Sequence, residues 1–117
     1  MGYSVCDASE LEALGGAFRP IRKTLGVRAF GINQEDFPPN ADQYPEHDHA
    51  GDGQEEVYCC IGGSGRIVVD GEEVELKLGR YVLVAPESRR KVYAGPDGLS
   101  LIVAGAPVGR PYEPEGA

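Results

Sequence analysis

Residues 44–65 read YPEHDHAGDGQEEVYCCIGGSG, and this is the most informative stretch of the chain. It holds both histidines of the protein, His47 and His49, in an H-x-H pattern. On an extended strand, side chains two residues apart point to the same side, so both imidazoles are expected to converge on one point. Glu56 follows, at the start of an apolar run that ends in glycines. Two imidazoles and one carboxylate predict a metal site with open coordination positions.

The chain around this stretch predicts an all-β domain preceded by a short N-terminal helical segment. Asp7 and Glu10 have the spacing of a capping box for a first turn, and a second turn is expected over residues 19–25. Asp70-Gly71 predicts a hairpin, and the sequence GPDG at residues 95–98 predicts another turn. Strands are predicted over residues 27–35, 47–49, 55–62, 66–70, 73–77, 81–85, 90–94 and 99–104. Short strands at this spacing are typical of a sandwich or small barrel.

Length and composition indicate one domain and exclude several classes of partner. A chain of 117 residues predicts a single domain over residues 1–117, with a barrel over residues 27–104 and an extended tail over residues 106–117. The net charge of −8 argues against binding to nucleic acid or to an anionic membrane. No apolar run approaches the ~20 residues that span a bilayer. The N-terminus lacks the pattern of a signal peptide, so a cytoplasmic location is predicted.

The three cysteines predict no disulfide framework. Cys59 and Cys60 are adjacent, and a disulfide between neighbours strains the intervening peptide. On a strand their side chains point to opposite faces. This usage fits a reducing compartment.

The order of these motifs resembles that of the cupins, whose first motif reads G-x5-H-x-H-x(3 or 4)-E-x6-G. His47 and His49 fill H-x-H, while Glu56 and Gly63 fill E-x6-G. The resemblance covers residues 31–104 and implies a jelly-roll barrel and a homodimer. It also implies a divalent metal (iron, manganese, nickel or zinc) on His47, His49 and Glu56. The segments YPEHD, QEEVY, GSGR and AGPDG look more narrowly like small single-domain actinobacterial cupins of uncharacterised function.

The spacing after the H-x-H pair departs from the cupin motif. Six residues separate His49 from Glu56, where the motif has three or four. Glu55 is therefore an alternative ligand, since it also lies seven residues before a glycine, Gly62. Strand alternation allows only one of the two carboxylates to face the interior. Glu56 is favoured because it brings Gly63 to the place of the motif's glycine.

The second cupin motif, G-x5-P-x-G-x2-H-x3-N, lacks its histidine here. Counting from Gly79 puts Arg90 in the histidine position, and counting from Pro86 puts Lys91 there. A cation beside a divalent metal repels it, by several kcal/mol (order of magnitude) in a partly buried pocket. Either residue is instead a candidate for binding an anionic ligand or for pairing with Glu56.

Three functions of different classes follow from these residues. The first is a barrel that binds a small molecule, predicted to be anionic, with Arg90, Lys91 and Tyr58 as ligand-binding candidates. Tyr58 is included because it shares the strand face of Glu56. The second is a metal-dependent dioxygenase or isomerase that uses the two histidines and Glu56. The third is a dimerisation scaffold without a ligand.

Overall fold

A computed structural model of the protein describes residues 2–114, and antiparallel strands dominate it. The strand order is β1-β2-β6-β3-β4, and β5 pairs with β3. A 3-10 helix, Ala8–Glu10, comes first. The remaining elements in chain order are β1 (Phe18–Arg19), α1 (Ile21–Leu25), β2 (Gly31–Phe37), β3 (Gln54–Val69), β4 (Glu72–Leu76), β5 (Tyr81–Val84) and β6 (Arg90–Pro107).

Two long strands, β3 and β6, form the frame of the barrel, and each joins two strands that were predicted separately. Residues 54–63 of β3 pair with residues 99–107 of β6, and residues 65–69 pair with residues 90–94. Between these halves, Ser64 alone faces the four residues 95–98. The prediction that residues 95–98 form a turn between two separate strands was therefore wrong, because these residues form a bulge within the single strand β6. The bulge bends one strand and does not end it.

Gly63 allows the two long strands to approach closely at this bend. Its φ is +68°, in the left-handed region, and an added Cβ would overlap the backbone carbonyl of Gly98. A side chain at this position would meet both a strained backbone and a steric clash. The glycine that matched the cupin motif therefore has a structural role in bringing β3 and β6 together.

The Asp70-Gly71 hairpin is confirmed between β3 and β4. Asp70 has a φ of +49° and Gly71 a φ of +83°, as a two-residue turn with both residues left-handed requires. The predicted strands at residues 73–77 and 81–85 correspond to β4 and β5, displaced by about one residue at their ends.

Three local predictions were wrong. The first long strand begins at Gly31 and not at residue 27, because α1 ends at Gly26 in a left-handed conformation and the chain needs a loop to reach the sheet. Residues 47–49 form no strand, and only His47 makes a β-bridge, to Arg90. The Asp7 side chain makes no capping hydrogen bond; its carbonyl oxygen accepts the Glu10 N–H instead, which closes a single 3-10 turn.

The barrel interior is filled by inward-facing residues of β3, β5 and β6, together with side chains from β2, β4 and the loop before β3. The largest fully buried apolar side chains are Tyr58, Ile67, Leu76, Leu99, Leu101, Val84 and Val92. Cys60 lies in this core and Cys59 faces the other side of β3, as the alternation predicted. All three cysteines are free.

The C-terminal segment lies on the body of the barrel. Its first two predicted residues belong to β6, which continues to Pro107. Residues 108–114 have no regular structure, and the Tyr112 ring packs over Gly31 at the start of β2. Residues 115–117 of the predicted tail lie outside the described residues. Within residues 2–114, no helix has the length and apolar character needed to cross a membrane.

Candidate metal centre and cavity

The H-x-H segment is held against the barrel by backbone hydrogen bonds. The His47 N–H donates to the Arg90 carbonyl (3.0 Å), and the Arg90 N–H donates back to His47 (2.8 Å). The His49 N–H donates to the carbonyl of Pro86 (2.7 Å). The two imidazole centroids are 5.1 Å apart. One bridge and one further hydrogen bond therefore bring both rings to the same side without a full strand.

Glu56 completes a group of three potential metal ligands. One donor atom from each of His47, His49 and Glu56 lies within 4.8 Å of the other two. The carboxylate comes from β3 and the imidazoles from the segment beside β6, so tertiary packing brings them together. Glu55 is exposed. Of the two carboxylates that the sequence left open, the structure therefore places Glu56 at the histidines.

Each imidazole is oriented by an oxygen at its Nδ1 atom. His47 Nδ1 is 2.9 Å from the Pro45 carbonyl oxygen, and His49 Nδ1 is 3.1 Å from the Asp52 carboxylate. An oxygen acceptor at Nδ1 favours the tautomer with its proton there and leaves the Nε2 lone pair for a ligand. Metal-binding histidines are commonly oriented in this way. Burial alone would raise the pKa of Asp52, but hydrogen bonds from His49 and from the Gln54 amide outweigh burial and lower it.

A single proton on His49 cannot satisfy both of its carboxylate neighbours, Asp52 at Nδ1 and Glu56 at Nε2. His49 Nε2 lies 3.3 Å from Glu56 Oε1. If the Nδ1 proton points to Asp52, two acceptor atoms face each other at this distance. Either a second proton on the imidazole or a metal ion between the atoms would remove the repulsion.

The donor set fits a divalent metal. Two neutral imidazoles and a carboxylate suit iron, manganese, nickel or zinc, and three ligands leave coordination positions open. Bond lengths of about 2.0–2.2 Å place the ligand atoms around one ion roughly 3–4 Å apart. His49 Nε2 and Glu56 Oε1, at 3.3 Å, already have this separation, and all three ligand atoms lie within 4.8 Å of one another.

A buried network lies behind Glu56. The Tyr58 hydroxyl donates to Glu56 Oε1 (2.8 Å), and the Tyr44 and Tyr58 hydroxyl oxygens are 2.8 Å apart. Because Tyr58 uses its one proton on Glu56, Tyr44 donates to Tyr58. Burial raises the pKa of both phenols, so both keep their protons. Arg90 Nη1 also contacts Glu56 Oε1 at 3.4 Å.

None of the three predicted ligand-binding residues, Arg90, Lys91 and Tyr58, lines the cavity beside the histidines. Arg90 is fully buried behind Glu56, with Nη2 donating to the Ala85 carbonyl (2.8 Å) and Nε without a described partner. Lys91 Nζ donates to the backbone carbonyls of Asp42 and Tyr44, both at 2.7 Å. Tyr58 is also fully buried, and it contacts the site through its hydrogen bonds with Glu56 and Tyr44. An anion-binding role for these residues stays a prediction.

A cavity of about 360 Å³ opens beside the three ligands. Sequence reasoning missed Glu35 and Tyr112 as members of its wall. The signal for Glu35 was present, because Phe37 is an obvious core residue of β2 and alternation places Glu35 on the same face. The cavity is lined by Phe18, Gly31, Asn33, Glu35, Tyr44, His47, His49, Asp52, Gln54, Glu56, Val103, Gly105 and Tyr112.

Glu35 is the most perturbed acid in this wall. Only 9% of the residue is exposed. Burial, with a smaller contribution from the negative charge of Glu56, raises the pKa of Glu35 from 4.5 to about 7. Near neutral pH the cavity therefore contains a carboxyl group that can either donate or accept a proton.

The same architecture occurs in solved structures. A cupin protein from Bacteroides fragilis superposes with a TM-score of 0.79 at 23% identity, and the match covers 100% of this chain and 92% of that one. The fold is that of the cupins. The jelly-roll barrel expected from the sequence is thus confirmed, although no protein-family model and no curated protein matches this chain.

Two further cupin structures are also similar. An RmlC-like cupin from Shewanella frigidimarina has a TM-score of 0.69 at 20% identity, covering 94% of each chain. A protein from Silicibacter pomeroyi, described as a sugar phosphate isomerase from a cupin superfamily, has a TM-score of 0.71 at 18% identity. That match covers 87% of this chain and 74% of the other. At these identities the likeness establishes the fold alone.

Proposed function

We propose that this cupin binds one divalent metal ion through His47, His49 and Glu56 and a small molecule in the adjoining cavity. The supporting observation is that three ligand atoms converge while both Nδ1 atoms are already occupied by oxygens. Both rings are held at Nδ1, and His49 Nε2 already lies 3.3 Å from Glu56 Oε1, as two ligands of one ion would. The cavity volume of about 360 Å³ is at the lower end of the range for ligand sites.

The metal would act as a Lewis acid on a carbonyl or hydroxyl oxygen of the bound molecule. The chain itself holds the ligand set in place. Tyr58 and Arg90 fix one oxygen of Glu56, and Asp52 and the Pro45 carbonyl fix the rings. Iron, manganese, nickel and zinc all suit such a site.

A metal-dependent isomerase is the second candidate. Solved cupins of similar fold include one from Silicibacter pomeroyi that is described as a sugar phosphate isomerase. A carboxyl group that titrates near neutral pH lines the same cavity as the metal ligands, which is the arrangement that proton transfer requires. A dioxygenase and a ligand-free scaffold remain predictions without a specific observation in their favour.

The competing state of the same residues contains no metal. A protonated His49 could donate to both Asp52 and Glu56, while the buried Arg90 neutralises the carboxylate. Both states satisfy the contact between His49 and Glu56. Measurement of bound metal separates them directly.

The test is elemental analysis of untagged protein as purified and after reconstitution with iron(II), manganese(II), nickel(II) or zinc(II). We expect about one equivalent per chain in the wild type and almost none in His47→Ala/His49→Ala. Glu56→Asp withdraws the carboxylate by one methylene and should lose most of the metal. Glu55→Asp makes the same change at an exposed neighbour and should retain it. Wild-type protein that stays free of metal after reconstitution would refute the proposal.

Assembly and location are separate proposals. We propose a homodimer, because β5 exposes Tyr81 and Leu83 on its outer face, at 72% and 64% exposure. A cytoplasmic location and kinship with the actinobacterial cupins stay predictions from the sequence.

A further inference from the structure

Glu35 is a buried acid without a partner in the protein. It lies on β2, with 9% of its surface exposed, and it lines the cavity that contains the metal ligands. Within residues 2–114, its carboxyl group forms neither a hydrogen bond nor an ion pair. The nearby Tyr44 hydroxyl is already committed, since its proton goes to Tyr58. Everything that the carboxyl group can bond to must therefore enter through the cavity.

Such a group costs stability and contributes nothing to the core. Burying a carboxyl group without a hydrogen bond is unfavourable, and an apolar side chain would fill the same place in the wall. The neighbouring core residue Phe37 faces the interior from the same strand and needs no polar companion. A polar group that the fold does not need, facing a cavity of ligand size, is the expected feature of a ligand-binding site.

The remaining wall indicates the kind of ligand. Among the described residues that line the cavity there is no lysine or arginine. Arg90 contacts Glu56, and Lys91 donates to backbone carbonyls. Arg110 lies in the adjoining pocket, where its guanidinium donates to the Asp52 carbonyl. The wall presents carboxylates and amides, which bind hydroxyl groups well and leave a second anion unpaired.

We propose that Glu35 is a ligand-binding residue and that the ligand is a neutral small molecule with several hydroxyl groups, one of which hydrogen-bonds to the Glu35 carboxyl group. Asn33 and Gln54, which line the same cavity, would bind further hydroxyl groups. This ligand class deepens the proposed function, and it differs from the anionic ligand that the sequence predicted from its cations. The volume of about 360 Å³ suits a molecule of monosaccharide size.

The test measures binding of defined sugars by ligand-observed NMR and calorimetry at millimolar concentration. The probes are glucose, mannose and fructose, each beside its 6-phosphate, with zinc-loaded and with EDTA-treated protein. At least one neutral sugar should bind the wild type more tightly than its phosphate does. Glu35→Leu should weaken that binding about tenfold or more, because it removes a hydrogen bond from a charged or acidic group.

Two variants separate a binding role from a structural one. Glu35→Gln keeps hydrogen bonding and should retain binding within about threefold of wild type, as a rescue that a packing role would not predict. Glu55→Gln, at an exposed position on β3, should bind like the wild type. Thermal unfolding of each variant verifies that it is folded before binding is compared.

The proposal is overturned if no neutral sugar binds the wild type in either metal state. It is equally overturned if the phosphates bind more tightly, or if Glu35→Leu binds as well as wild type. Metal content is measured in the same samples. If Glu35→Leu loses sugar binding but keeps its full metal content, the loss is due to Glu35 and not to the metal site. If the protein binds sugar but takes up no metal, only the proposed metal site is refuted.

Discussion

Replacing Glu35 with glutamine should stabilise the protein at alkaline pH and change little at acidic pH. The pKa of Glu35 rises from 4.5 in the unfolded chain to about 7 in the folded protein. Between these values the folded protein holds a proton that the unfolded chain releases. As far as Glu35 is concerned, the free energy of unfolding is therefore highest below pH 4.5. It falls as the pH rises and reaches its lower level above about pH 7. Glutamine is neutral throughout and avoids this loss.

The size of the effect follows from the displacement of the pKa. One pKa unit corresponds to ~1.36 kcal/mol, so moving from 4.5 to about 7 costs about 3 kcal/mol once Glu35 is fully ionised. Glu35 is 91% buried, so solvent screening reduces this figure little. Folded domains are stable by ~5–15 kcal/mol, which makes the effect a large share of the total.

The assay is urea unfolding of the wild type and of Glu35→Gln between about pH 4.5 and pH 8, with EDTA present throughout. EDTA is needed because a bound cation would offset the Glu56 charge that contributes to the shift. The other titratable residues that line the cavity with Glu35 are Tyr44, His47, His49, Asp52, Glu56 and Tyr112. They are unchanged in the variant, so their contributions largely cancel in the difference between the two curves.

The variant should match the wild type near pH 4.5 and exceed it by about 3 kcal/mol near pH 8. Glu55→Gln, on the exposed face, should differ from the wild type in free energy of unfolding by no more than about 0.5 kcal/mol, and this difference should not change with pH. If the difference between Glu35→Gln and the wild type is also independent of pH, burial does not raise the pKa of Glu35 and the reasoning is refuted. A variant less stable than wild type at every pH would show that the carboxyl group makes a stabilising bond within the protein.

Three further predictions concern the buried pair and the outer face of the barrel. Glu56→Gln should lower the free energy of unfolding in urea by about 3–5 kcal/mol, because the fully buried Arg90 loses its counter-ion. The double variant with Arg90→Met should recover most of the lost stability. Failure to recover it would refute the pairing of Arg90 with Glu56. Arg90→Met alone should tighten zinc binding about tenfold or more in a chelator competition, since it removes a cation that contacts Glu56; unchanged affinity would contradict the repulsion. Leu83→Glu, beside Tyr81, should convert a dimer into a monomer in light scattering, and a wild type that is monomeric would remove the basis of the homodimer.

Local patterns predicted an all-β sandwich or small barrel and the three candidate metal ligands, and the resemblance to the cupins selected the jelly-roll barrel. The Asp70-Gly71 turn was predictable because only a few residue types accept two successive left-handed conformations. The inward position of Tyr58 and Cys60 and the outward position of Cys59 follow from the two-residue period of a strand. Both histidines lie on one side as the H-x-H spacing predicted, although one bridge and one further hydrogen bond hold them there and not a strand.

Properties that depend on distant residues were decided only by the tertiary structure. The sequence could not show that residues 95–98 bulge within β6, because the bulge exists only where β3 passes close by at Gly63. Nor could it choose between Arg90 and Lys91 as the residue beside Glu56, a choice that depends on the register of β6 against β3.

Glu35 shows the physical reason most clearly. Alternation along β2 places its side chain inward, and this much was available from the sequence. Its missing partner, its raised pKa and its place beside the metal ligands come from side chains far away in the chain. The local sequence determines which way a side chain on a strand points. Its burial and the charges around it depend on residues that are distant in the chain and that only folding brings together.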